Sequence, residues 1–521
     1  MATTLRACTA FKSNGQYSVI STRIPQTAQA SDHVRRFVGG SSFAAAGLIA
    51  SGVITLSTGI VFARWLGPRD FGTYSLVVAA VTLIGGFGAV GMDTAVPRFV
   101  SYYLGVGSLE LVRPVIRFGI SCAVAASSCL ALGTFWLLTA RNPLPEKLVP
   151  LRTVAIFIAA VIPIFAMLLV LQQAILGLGC IKTRIVIEKF MQPVLRLSMP
   201  FALVLVAGGR FSAAVAGVVL ATLIGLIVAG LALKYATIGF RGGSKPSVRE
   251  LRQWSGYALP FAFQSLQQFV SNGLGIDIFL VGLLASLSDS GIYAAAFRFT
   301  PLLTLVRSAM DYAFGPKVAA LYGKSDLQSI DVLYKTSSTI GLMFTLPFGI
   351  IFVLFSWQIM TTFFGVSYAQ GAVALAWLVL GCVVDSATGC NTTLLAMVGK
   401  PWLVLINGLV GGTLAVLLCC FLIPRLGISG AAIAVTAARA CANLLATLQL
   451  WKFLALQPFS SRTLRLILPA GVTALAGLAI RSQLSLIHFP GIVTLALVGS
   501  VLLGLYITGI RLVGLLRLQL T

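Results

Sequence analysis

Seven charged residues stand where this chain has least room for them. Arg196, Arg298, Arg307 and Arg439, with Asp277, Asp311 and Asp385, all fall inside long apolar runs. A charge at mid-membrane costs about 2.5–3.5 kcal/mol on insertion scales, so each needs a partner or a task. A guanidinium is a planar fork that matches phosphate and carboxylate. Four of them predict capture of an anion. The three acids suit either of two roles: coupling to a proton or Na⁺, or neutralising the arginines.

Spacing narrows the choice. Asp311 follows Arg307 by four residues, on the same helix face, so the two can pair. Glu188 can pair likewise with Arg184 at the entrance to its span. Depth matches Asp277 with Arg298, and Arg307 with Asp385, on neighbouring spans. Arg298 and Arg307 lie nine residues apart, roughly 180° around an ideal helix. They share a face only if Pro301 bends the helix between them. Of the two, Arg298 is favoured as the anion ligand, beside Arg439. Pro163, Pro193, Pro200, Pro260 and Pro347 also lie inside spans, where each bends its helix, either statically or during a conformational change.

The elements carrying these residues follow from composition. Of the 521 residues, 58% are hydrophobic and 10% charged, with a mean hydropathy of +0.98. This excludes an ordinary soluble enzyme, a disordered chain and a fibrous protein. Continuous apolar runs exclude a β-barrel, whose strands alternate. The fold class is an all-α polytopic membrane protein. Fourteen spans are expected, near 42–63, 71–92, 118–140, 153–179, 186–207, 211–233, 257–284, 290–314, 336–355, 367–395, 402–423, 428–450, 464–480 and 489–510.

The formal charge of +24 belongs to membrane topology rather than to nucleic acid. The N-terminal side and every second loop carry 22 Lys and Arg against 8 on the opposite side. The positive-inside rule then places both termini in the cytoplasm. Residues 1–40 lack an apolar run, are rich in Ser and Thr, and read as a disordered cytoplasmic tail; an organelle transit peptide shares that composition. Most of the nine cysteines, among them Cys122, Cys129, Cys390, Cys419, Cys420 and Cys441, read as buried free thiols. His33 and His488 stand alone, and no metal or cofactor site is expected. Asn391-Thr392-Thr393 matches a glycosylation acceptor, but within an apolar stretch. No loop is long enough for a catalytic domain and there is no nucleotide-binding loop, so no enzyme activity is expected.

The chain also repeats itself. Asp70, Gly72 and Tyr74 recur as Asp289, Gly291 and Tyr293 at an offset of 219, which also carries Pro97-Arg98 onto Pro316-Lys317. Gly177-Leu178-Gly179 and Val398-Gly399-Lys400 follow at nearly the same spacing. Six helices separate the copies, so the repeats enter the membrane in the same orientation. The expected domains are an N-lobe over 41–235, a linker over 236–255, a C-lobe over 256–450 around a central cleft, and two further helices over 451–521.

Phe62-Ala63-Arg64-Trp65-Leu66-Gly67-Pro68-Arg69-Asp70-Phe71-Gly72-Thr73-Tyr74-Ser75-Leu76 resembles the first-loop signature of bacterial O-antigen-type polysaccharide flippases. These are exporters of the multidrug/oligosaccharidyl-lipid/polysaccharide superfamily. Gly88-Ala89-Val90-Gly91-Met92-Asp93 and Pro97-Arg98-Phe99 fit it too. The resemblance implies flipping of lipid-linked oligosaccharide, of the polyprenyl-pyrophosphate type, across the inner membrane for lipopolysaccharide or exopolysaccharide export. It implies membrane lipids and polysaccharide-assembly proteins as partners, and no nucleic acid. The lipid II flippases of that superfamily carry functional arginines on their first two helices. Here Arg64 lies only at the end of span one, which counts against a peptidoglycan precursor. Two alternatives remain open: a cation-coupled multidrug exporter of the same fold, and a membrane enzyme or scaffold of polysaccharide assembly.

Overall fold

The computed structural model describes residues 26–140, 152, 154–204, 209–238, 240, 246–271, 275–483 and 491–514, with side chains from 47 onward except 260, 261, 263–271, 312, 313 and 316. The expected tail over 1–25, and the side chains of His33 and His488, lie outside these residues.

The described chain is helical throughout. Helix α1 runs Gln26–Gly88, so residues 26–40 extend the first helix rather than forming a tail. It is followed by α2 Met92–Val106, α3 Val112–Thr139, α4 Ala155–Gly177, α5 Gln192–Leu203, α6 Arg210–Thr237 and α7 Val248–Ser271. Next come α8 Ile276–Leu284, α9 Leu287–Phe297, α10 Leu305–Gly323, α11 Leu327–Leu354 and α12 Ser356–Phe364. The last are α13 Gly371–Ala387, α14 Asn391–Met397, α15 Pro401–Leu454, α16 Ile467–Gln483 and α17 Gly491–Leu512.

In its described residues, each of the fourteen expected spans falls mainly on helix. Among the described residues, eight helices are long and apolar enough to cross a membrane, or nine when the bent pair α13 and α14 counts as one span. Two of the eight contain two expected spans each. α1 turns at Gly67 (φ 80°) and α15 at Gly427 (φ 58°), backbone conformations that glycine adopts without a Cβ clash. The remaining expected spans, five, seven and eight, fall on helices in pieces. α5 is preceded by a π-helical turn over Val186–Met191. α7 and α8 are separated near Gly275, and α9 and α10 by the short turn Thr300–Leu303. These spans carry Arg196, Asp277, Arg298, Arg307 and Asp311. Broken helix at membrane depth is tolerated where the freed backbone is buried in protein or lines water.

Exposed Trp136, Trp357, Trp402 and Trp451 sit near the ends of α3, α12 and α15, as at a membrane–water boundary. The described cysteines are free thiols, but Cys129 and Cys420 are exposed and Cys122 and Cys441 only part-buried, because an apolar span presents some of its thiols outward. Outside the spans, Asp326 caps α11. It accepts from the Ser329 N–H at 3.0 Å and the Ser329 hydroxyl at 2.6 Å, which holds its carboxylate below the usual range.

The chain forms two compact units, one of residues 1–58 and 77–266, the other of 59–76 and 267–521. In the first unit, the wholly buried Trp254 of α7 donates its indole N–H to Tyr103 of α2 at 3.0 Å. Gly91, at the start of α2, lies so close to α7 that a Cβ would strike the Ala258 carbonyl. These contacts draw the start of α7 into this unit, so its boundary lies beyond the expected 236–255 linker. In the second unit, the core around Phe314, Tyr334 and Leu394 joins α10, α11, α14 and α15. α16 and α17 pack on α11.

Candidate functional site

The second unit gathers six of the seven mid-span charges. α8 supplies Asp277, the α9–α10 pieces Arg298, Arg307 and Asp311, α13 Asp385 and α15 Arg439. Arg307 meets both carboxylates expected for it. Its Nη1 lies 3.3 Å from Asp311 Oδ2 and its Nε 2.9 Å from Asp385 Oδ2. The Nε–H does not point at the Asp385 oxygen, so this is a charge contact and not an aligned hydrogen bond.

Neutral side chains complete this group. Asn443 Nδ2 donates to Asp385 Oδ1 at 3.0 Å, and the Thr393 hydroxyl to Asp311 Oδ1 at 2.8 Å. Asn391 Nδ2 donates to both the Asn443 carbonyl and its Oδ1, each at 3.1 Å. Asn391 is wholly buried in this network, which removes the glycosylation reading of Asn391-Thr392-Thr393. Sequence reasoning missed Asn443 and Thr393. The available signal was the spacing Arg439, Asn443, Thr447, a polar stripe four residues apart along α15.

A second group surrounds Asp277, which is 1% exposed. Its Oδ2 accepts from the Tyr293 hydroxyl at 2.9 Å and its Oδ1 from the Ile278 N–H at 2.9 Å. Arg439 lies within electrostatic range of both Asp277 and Tyr293. The interspan partner of Asp277 is thus Tyr293 rather than the expected Arg298. The reason is local: α9 ends at Phe297, and the Arg298 stem packs so tightly on Gly59 of α1 that a Cβ there would lie 2.9 Å from Arg298 Cγ. The break also removes the 180° constraint between Arg298 and Arg307.

Arg439 differs from Arg307. Its hydrogen bond goes to the Cys382 thiol, at 3.9 Å. Among the described residues no carboxylate lies within ion-pair distance of it. Arg196 belongs to the first unit, on α5, part-buried. Arg184 pairs with Glu188 at 3.0 Å as its spacing predicts, and Lys189 joins them at 2.7 Å.

The repeated motif also meets itself. A Cβ on Gly72 would strike the Leu287 carbonyl, and one on Gly291 the Pro68 carbonyl; Gly72 and Gly291, counterparts at the 219-residue offset, face each other. Beside this joint, Arg64 donates from Nε to the Phe363 carbonyl at 2.7 Å and from Nη2 to the Thr362 carbonyl. These carbonyls close the last turn of α12, where a cation is favoured. Tyr368 donates its hydroxyl to the Ala63 carbonyl at 2.7 Å.

Comparison with known proteins agrees with this architecture. The polysaccharide biosynthesis protein family matches residues 38–310. The probable low-salt glycan biosynthesis flippase Agl15 of Haloferax volcanii is 26% identical over 192 residues, which is 36% of this chain and 40% of that protein. The matched part is thus less than half of the relative's length. Among solved structures, the lipid II flippase MurJ in an inward closed conformation has a TM-score of 0.69 at 12% identity, covering 92% of this chain and 99% of that one. An inward-facing multidrug resistance MATE transporter has a TM-score of 0.58 at 18% identity, covering 80% and 94%. A superfamily transporter from Pyrococcus furiosus, described by the reversed polarity of its binding pocket, has 0.58 at 14%, covering 80% and 95%. At these identities the likeness is one of fold. With a family match over more than half of its length and a polytopic helical fold of the MurJ and MATE kind, the chain belongs to the polysaccharide biosynthesis protein family.

Proposed function

We propose that this protein flips lipid-linked oligosaccharide units across the cytoplasmic membrane by alternating access. Arg298 and Arg439 take the anionic, pyrophosphate-type part of the substrate. Arg196 adds a contact from the first unit, and Arg307 acts within its acid-bound group. The observation that carries this reading is Arg439: a guanidinium at mid-span, part-buried, with a thiol as its close partner and, among the described residues, no carboxylate within ion-pair distance. A cation held so weakly in an apolar bundle is suited to an anion that arrives from outside. The cation-coupled multidrug exporter is the second reading, supported by the MATE likeness in fold. The mid-span arginines outside the Arg307 group, Arg196, Arg298 and Arg439, oppose it, since an organic cation is repelled by them.

In-frame deletion of the gene is expected to leave lipid-linked sugars on the cytoplasmic leaflet. Unchanged sidedness would refute the flippase reading. Arg298→Ala and Arg439→Ala are each expected to lower export by roughly ten- to hundred-fold, the effect of losing about 1.5–3 kcal/mol of charge-assisted hydrogen bonding. The protein should still accumulate in the membrane. Adding Asp277→Ala to Arg298→Ala should not restore export; recovery would mean that Arg298 only neutralises Asp277.

Both termini lie in the cytoplasm in this proposal, supported by the 22-to-8 asymmetry of Lys and Arg. A reporter fused after Arg517 should read cytoplasmic and one inserted at 141–150 external; both sites lie outside the described residues. The opposite labelling of both would overturn the orientation.

A further inference from the structure

The group around Arg307 holds two carboxylates on one guanidinium, and the two are not held alike. Their side chains differ in exposure, 26% for Asp311 and 11% for Asp385, with Arg307 at 21%.

Asp385 is fixed as an acceptor by a chain of polarity that ends on the backbone. The Thr392 N–H, which can only donate, reaches Asn391 Oδ1 at 2.7 Å. Asn391 must therefore turn its Nδ2 towards the Asn443 oxygens, at 3.1 Å. Asn443 in turn presents its own Nδ2 to Asp385, at 3.0 Å. An amide nitrogen has no lone pair to offer. A proton on Asp385 Oδ1 would face Asn443 hydrogens, and one on Oδ2 would face Arg307 Nε, 2.9 Å away.

Asp311 is different. Its Oδ1 faces the Thr393 hydroxyl at 2.8 Å, and the Cys390 thiol also reaches the carboxylate. A hydroxyl is a rotor that either donates or accepts. If Asp311 takes a proton on Oδ1, Thr393 turns its hydrogen away and accepts from the new O–H.

We propose that Asp311 is the proton-binding residue of this protein, and that Asp385 remains a permanent counter-ion to Arg307. The proton comes from water at the more exposed end of the group and bonds to Asp311 Oδ1. The triad then passes from one net negative charge to none, and Arg307 keeps its pairing with Asp385. Among the described residues, the other titratable or charged groups of this cluster are Cys390, which faces Asp311, Cys382 and Asp385 around Arg307, the Tyr334 phenol of α11 near Cys390, and Arg439 of α15 beside Cys382. A sodium ion fits less well. A hard cation takes about six oxygen ligands, and each of the four carboxylate oxygens already faces Arg307, Asn443 or Thr393.

That this proton drives transport rests on the flippase reading; that Asp311 binds it does not. The two are tested apart. Infrared difference spectra of the purified full-length protein on acidification from neutral pH should contain the carbonyl stretch of a protonated carboxyl. The band should vanish in Asp311→Asn, return at an altered position in Asp311→Glu, and require lower pH in Asp385→Asn, where Arg307 has a single carboxylate left. A band that persists unchanged in Asp311→Asn, or no band in the wild type, overturns the assignment. In proteoliposomes with a lipid-linked oligosaccharide, wild-type flipping should respond to an imposed pH gradient, and Asp311→Asn should flip without that response. Equal responses in both would overturn the coupling. No flipping of that lipid by the wild type would overturn the flippase reading, while the infrared result still decides the proton site.

Discussion

Gly291→Val is expected to abolish most transport while the rest of the fold persists. A side chain at this position would collide with the Pro68 carbonyl and lie 2.8 Å from the Gly72 nitrogen. Both obstacles are backbone, so no rotamer relieves them. Overpacking of this kind costs about 1–3 kcal/mol, which shifts a conformational equilibrium roughly 5- to 150-fold. The shift falls on a state in which the 59–76 segment is seated by Gly72, Arg64 and Ala63. In the alternating-access cycle proposed above, we infer that this seat forms and parts. Hydrogen–deuterium exchange over residues 59–76 and 287–293 should rise in Gly291→Val and in Gly72→Val. The control is Gly230→Ala on α6, where a Cβ meets nothing within 4 Å and exchange and transport should stay as in the wild type. Wild-type exchange in Gly291→Val would show that the joint is not a tight seat.

Asp385→Ala is expected to be the most destabilising of the charge substitutions. Removing one partner from a buried ion pair costs about 3–5 kcal/mol, because the other charge stays behind in a poor solvent. The lower end applies, since the Arg307 side chain retains 21% exposure. The loss also leaves the Asn443 amide without its acceptor. Asp311→Asn should cost much less, because Arg307 keeps Asp385. The double substitution Arg307→Met with Asp385→Leu should recover most of the stability lost in Asp385→Ala, as apolar replacement of a buried pair often does. Thermal unfolding of the purified variants gives the comparison. Equal loss in Asp311→Asn and Asp385→Ala would mean that the two acids share Arg307 evenly and that Asp385 is not its anchor.

Much of this site was readable from spacing. The i, i+4 step placed Asp311 against Arg307, and equal depth placed Asp385 beside the same guanidinium. The 219-residue offset singled out Gly72 and Gly291, which prove to touch. It did not reveal that they touch each other, because a repeat specifies equivalence and not contact. Depth alone misplaced Asp277 against Arg298. Depth fixes a level in the membrane but not a direction around the helix, and the break after Phe297 turned Arg298 towards Gly59. Asn443 went unnoticed because a neutral amide in a span costs less than a charge, and so draws less attention.

The sequence by itself determined the class of protein, its spans, its charge asymmetry and its internal repeat. Those properties depend on composition along one dimension: runs of apolar residues long enough to cross a membrane, and loops rich in Lys and Arg. Only the tertiary structure decided which polar groups meet. A helix that is apolar on every side has no face that burial alone would select. Its rotation is set by close approaches such as Gly72 on Gly291 and by breaks such as those at Gly275 and Arg298. Through them Arg307 acquired two carboxylates, Arg439 none within ion-pair distance among the described residues, and Asp311 a hydroxyl partner able to reverse its hydrogen bond.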